Sequence, residues 1–115
     1  MNTEEYRDYV LDILAPFGEI VCRRLFGGHS LYKNGIIFAF IADDILYFKV
    51  GDSNRRDYEE NGSEPFVFEA RGKKISLSYW QVPLDVIEDG GELMKWAEKS
   101  YRVGIESNKK KNNSG

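Results

Sequence analysis

The chain has 115 residues and a net charge of −3, from 16 Lys and Arg against 19 Asp and Glu. That length suits one domain with its own core, and the acidic balance argues against unaided duplex binding, which rests on a basic face that displaces counterions from phosphates. Its single cysteine cannot form an internal disulfide, no apolar run approaches the roughly 20 residues that span a bilayer, and the start "MNTEEYRDYV" lacks the basic-then-apolar pattern of a signal peptide. The expectation is a cytoplasmic domain without a membrane segment.

"TEEYRDYVLDILAPFG" predicts a helix. Thr3 suits the N-cap, Glu4 and Glu5 favour the first turn, and Tyr6, Val10, Ile13, Leu14 and Phe17 make an apolar stripe ended by Pro16 and Gly18. "EIVCRRLF", with "SLY" beyond a glycine corner, then "IIFAFI" and "ILYFKV" read as a three-stranded antiparallel meander, with Asn34-Gly35 as a hairpin turn. "GDSNRRDYEENG" predicts a short helix capped by Asp52 or Ser53 and stopped at Asn61-Gly62. "PFVFEA" and "KKISLSYWQV" form a hairpin through "RGK". In its second strand Ile75, Leu77 and Tyr79 alternate with Ser76, Ser78 and Trp80, which predicts that the first set faces the core and that Trp80, projecting away from it, either packs under a helix or lies at an interface. "ELMKWAEKSYRV" is the last helix, with Leu93, Trp96, Ala97, Ser100 and Tyr101 on one face. The domain is expected over residues 1–105, with 106–115, "ESNKKKNNSG", as a disordered polar tail. Strands grouped as hairpins give an α+β fold with a five-stranded, mostly antiparallel sheet.

The chemistry concentrates at "VCRRLFGGHSLY". Gly27-Gly28 lacks the further glycines and the Lys-Ser/Thr pair of a phosphate loop, and a strand follows it, so a sharp corner between strands is the reading. Cys22 and His29 could approach across a bent strand, but a thiol nucleophile also needs an orienting group and oxyanion donors that the sequence does not supply. One His and one Cys cannot complete a three- or four-ligand metal site. No catalytic residues, metal or cofactor are therefore expected. Arg23 and Arg24, adjacent on a strand, point to opposite faces. The partner- or ligand-binding candidates are Arg23, Arg24, Phe26, Gly27, Gly28, His29, Tyr32 and Trp80. An alternative places a small-ligand or enzymatic site around Cys22, Arg24 and His29, provided those side chains converge on a pocket.

Taken together, "RRLFGG", "SLYKNGIIFAFIADDILYFKV", "NGSEPFVFEARGKKISLSYWQVP" and "ELMKWAEKSY" resemble the N-terminal domain of the TfoX/Sxy family, from about Arg23 to about Tyr101. The resemblance implies an α+β fold similar to type III secretion chaperones. It also implies a non-enzymatic regulator of competence, the programme of natural DNA uptake, acting through protein contacts. It points to transcription machinery such as the cyclic-AMP receptor protein as partner, and to the N-terminal domain without the C-terminal helical domain of better-known members.

Assembly is the last expectation. "IIFAFI" is apolar towards both faces of a sheet, so either the terminal helices lie on opposite faces or a second copy covers one of them. The reading favours a symmetric homodimer with Trp80 or another aromatic near its centre. Direct DNA binding would require Arg23, Arg55, Arg56, Arg71, Lys73 and Lys74 to form one continuous face.

Overall fold

The structure, a computed structural model, describes residues 3–25 and 27–113, and the side chains of Thr3, Ile75 and residues 111–113 are not described. Helix α1 (Thr3–Ile13) leads through a 3-10 turn (Ala15–Phe17) into strands β1 (Val21–Leu25), β2 (Gly28–Lys33), β3 (Ile36–Ala42) and β4 (Ile45–Lys49). Helix α2 (Arg55–Glu60), strands β5 (Pro65–Ala70) and β6 (Lys73–Gln81), and helices α3 (Leu84–Ile87) and α4 (Gly90–Asn113) complete the chain. The α+β class is as expected, but the sheet has six strands in the order β1-β2-β3-β4-β6-β5, with every neighbouring pair antiparallel. The extra strand arises at the glycine corner. Leu25 pairs with Gly28, so Val21–Leu25 and Gly28–Lys33 are the two arms of a hairpin.

Backbone chemistry sets the other reversals. Asn34-Gly35, Asp43-Asp44 and Arg71-Gly72 all take positive φ at both positions, the geometry of two-residue turns that match the twist of their strands. The short helix α2 starts one residue later than expected. Its N-cap is Asn54, not Asp52 or Ser53. The Asn54 side chain turns inward, accepting from the Gly51 amide at 2.8 Å and donating to the Lys49 carbonyl at 3.1 Å.

The core is a single cluster on one face of the sheet. Val10 from α1 and Leu14 just beyond it, Tyr58 from α2, Val86 from α3, and Leu93, Trp96 and Ala97 from α4 all meet Leu31, Ala39, Ile41, Leu46 and Phe48 from the strands, with Val82 just past β6. The helices therefore do not divide between the faces. Two sequence expectations are corrected. Trp80 pairs with Phe48 in register and lies under the helices, its ring 6.3 Å from Tyr58, so of its two readings packing under a helix holds and a place at the centre of an open interface does not. Leu77 and Tyr79, expected to face the core, lie on the uncovered side, and Leu77 is 37% exposed. Alternation was read correctly and assigned to the wrong side, because serines at 76 and 78 occupy the helix-side positions beyond the reach of the helices.

The tail is corrected as well. Helix α4 continues through 106–113, where the sequence suggested disorder over 106–115; residues 114 and 115 lie outside the described residues. A docked helix extends by one hydrogen bond per added residue once nucleated, and lysines near its C-terminus favour the dipole.

Candidate functional site

Two surfaces gather the residues singled out from sequence, one on each side of the β1–β2 hairpin. Strand alternation separates them: Arg23 pairs with Ser30 and Arg24 with His29, so the two arginines do leave opposite faces.

On the helix side, Cys22, Arg24 and His29 converge with Glu4, Arg7, Asp8 and Leu11 of α1 around an open cleft of about 380 Å³. His29 is 4% exposed, and its Nδ1 is buried without a hydrogen-bond partner among the described residues. Burial first, then the Arg7 and Arg24 guanidinium groups, push its pKa below the ordinary 6.5, so the imidazole is neutral at pH 7. Burial raises the Cys22 pKa, with Arg7 opposing it. A thiol held protonated beside a neutral imidazole is the reverse of the ion pair a cysteine nucleophile needs. The cleft has the form of a binding site. Arg7 is engaged by Asp8 at 3.0 Å, whereas Arg24 makes no ion pair among the described residues.

The corner glycines act on backbone. Gly27 takes φ 79, and a Cβ on Gly28 would lie 2.2 Å from the Ile41 carbonyl oxygen. Gly28 is thus required by close strand approach, and neither glycine forms a phosphate cradle. Phe26, also singled out from sequence, lies outside the described residues.

Among the described residues, the other side of the sheet carries no helix. Tyr32 lies there with Phe40, Tyr47, Phe66, Phe68 and Tyr79, and the last five are linked by ring contacts: Phe66 is 5.5 Å from Phe40, 5.0 Å from Tyr47 and 6.4 Å from Phe68, and Phe40 is 6.3 Å from Tyr79. Val21, Leu25, Phe68 and Leu77 add exposed apolar area. Arg23 sits 5.6 Å over the Tyr32 ring, and Lys49 Nζ is 5.0 Å over Tyr79. Ser30, buried beneath them, directs its hydroxyl to the Arg23 carbonyl at 3.3 Å and the Tyr32 hydroxyl at 3.4 Å. Burial raises the Tyr79 pKa to about 12 and lowers that of Lys49. Sequence reasoning found Arg23 and Tyr32 but missed Phe40, Tyr47, Lys49, Phe66, Phe68, Leu77 and Tyr79. The available signal was the doubly apolar "IIFAFI" together with the aromatics of "ILYFKV" and "PFVFEA".

Trp80 belongs to neither surface. It lines a shallow depression with Arg55, Pro65, Ser76 and Ser78 at the margin of the helix-covered face. The six basic residues that direct DNA binding would require on one face do not form one: Arg23 is on edge strand β1, whereas Arg71, Lys73 and Lys74 cluster at the β5–β6 turn near the opposite edge. Among the described residues, no group of His, Cys, Asp and Glu could hold a metal ion and no helix is long and apolar enough to cross a membrane.

An antiparallel sheet with every helix on one face and an aromatic surface on the other defines the class, an α+β domain with one open side. Residues 12–103 match the TfoX N-terminal domain, and the chain belongs to that family. It is similar to Protein Sxy of Escherichia coli (strain K12), with 22% identity over 101 residues, covering 88% of this chain and 48% of the relative. The chain thus spans about half the length of that relative.

Proposed function

We propose that the protein is a non-enzymatic regulatory module of the TfoX/Sxy type, acting through protein contacts in the control of genes for DNA uptake. Family membership supports the regulatory reading. The observation that carries the mechanism is the uncovered aromatic face, since apolar patches of this breadth mark interaction surfaces. Transcription machinery, with the cyclic-AMP receptor protein as first candidate, is the partner to test. The test is a reporter fused to a DNA-uptake gene in cells lacking this protein. Restoring the chain should restore expression, and unchanged expression would overturn the reading.

The convergence of Cys22, Arg24 and His29 on one cleft favours a second reading, a small-ligand site in which Arg24 holds an anionic group. Thermal-shift measurement with small carboxylates and phosphates checks it. Stabilisation lost in Arg24→Ala supports a site, and no stabilisation by any of them removes it.

A further inference from the structure

The charges on the open face are one-sided. At its strand positions Arg23 on β1, Lys49 on β4 and Lys73 on β6 share the surface with the aromatic cluster, and no aspartate or glutamate occupies a strand position there. The nearest carboxylate with a felt effect is Asp43 at the rim, in the β3–β4 turn, where it raises the Tyr47 pKa after burial has done so. The chain as a whole is acidic, so this face departs from the rest of the surface in both charge and apolarity. Lys49 is half-buried and has no carboxylate partner among the described residues, only the Tyr79 ring. The described residues give Arg23 no ion pair either, only Tyr32.

We infer that this face docks a protein segment of complementary chemistry: an apolar stripe of aliphatic or aromatic side chains flanked by carboxylates, which meet Arg23 and Lys49. The inference rests on the protein-contact reading above and names the chemistry of the partner. Two other occupants fit less well. A second copy, the expectation from sequence, would bring the face against itself, burying Arg23 and Lys49 with no strand carboxylate to answer them, and a buried unpaired charge is strongly destabilising. A single-stranded nucleic acid would need open ring faces for base stacking. Here Arg23 and Lys49 already sit over Tyr32 and Tyr79, and Phe66 packs edge-on against both Phe40 and Tyr47.

The experiment is fluorescence anisotropy with three labelled probes: a synthetic amphipathic peptide of Leu, Phe and Glu, the same peptide with Lys for Glu, and oligo-dT. The expected result is binding of the Glu peptide alone, weakened about tenfold by raised salt or by Arg23→Glu with Lys49→Glu. Sedimentation equilibrium is expected to show a monomer. Equal binding of the two peptides, or tighter binding of oligo-dT, overturns the inference. So does a dimer that Leu77→Asp disperses, which would make a second copy the occupant. The peptide comparison uses the unaltered chain and stands even if the double variant fails to fold. If the Glu peptide binds while the uptake-gene reporter stays silent, the functional reading falls alone. If the reporter responds and the Glu peptide does not bind, this inference falls alone.

Discussion

At the level of single residues, the corner that drew attention in the sequence is set by backbone geometry. Gly28→Ala should cost about 3 kcal/mol, because its Cβ would meet the backbone of Ile41 and one strand must move. Gly27→Ala, strained only in φ and facing open space, should cost about 1 kcal/mol. Urea denaturation of both variants checks the order, and equal losses would contradict it. The sequence announced that glycine was needed here. It could not announce why, because the obstruction is Ile41, brought in by the next hairpin. Asn54 was missed for a similar reason. Its bonds to Gly51 and Lys49 are local, but its burial against Ser100 depends on α4. His29 supplies a pH prediction. Its folded pKa lies below the ordinary 6.5, so the unfolded chain takes up the proton first. The stability it contributes is present above pH 6.5 and declines as pH falls below that value. His29→Leu should flatten the loss as pH falls below 6.5, measured as urea midpoint against pH. An unchanged slope would contradict this assignment.

At the level of elements, hairpins and apolar stripes were legible because turn chemistry and periodicity are local. Asn34-Gly35 and the α1 and α4 faces appear where their residues put them. Which face of the sheet the helices cover was not legible, since alternation defines two sides without ranking them. Docking of α4 shows what decides it. A Cβ on Gly104 would lie 2.5 Å from the Ile37 carbonyl, so the helix rests directly on β3. Lys33 ties the region together, donating to the Phe17 carbonyl at 2.8 Å with its Nζ 3.8 Å from the Phe17 ring and 5.1 Å from that of Tyr101. Gly104→Val should therefore destabilise the fold by about 2–3 kcal/mol through forced separation of α4 and β3. The same helix beyond Ile105 is exposed as far as it is described. Truncation after Glu106 should lower helical circular dichroism while moving the urea midpoint by less than about 0.5 kcal/mol equivalent. A large loss of stability would show that the extension packs on the domain.

At the level of the whole molecule, the chain builds a domain whose two sides are chemically unlike: one closed by four helices, the other aromatic, cationic and bare. Burial serves the first side. The second retains large rings and a half-buried lysine that contribute less to stability than a covered face would, which is the expected mark of a surface kept for contact. The most direct test of this account is the uptake-gene reporter in cells lacking the protein, complemented by face and cleft variants at matched protein levels. Phe68→Asp with Leu77→Asp alters residues already 38% and 37% exposed, so the domain should remain folded by circular dichroism. Arg24→Ala alters the cleft alone. The account predicts that the face variant loses reporter expression while the cleft variant keeps it. Full expression from the folded face variant, with expression lost in Arg24→Ala, would contradict it.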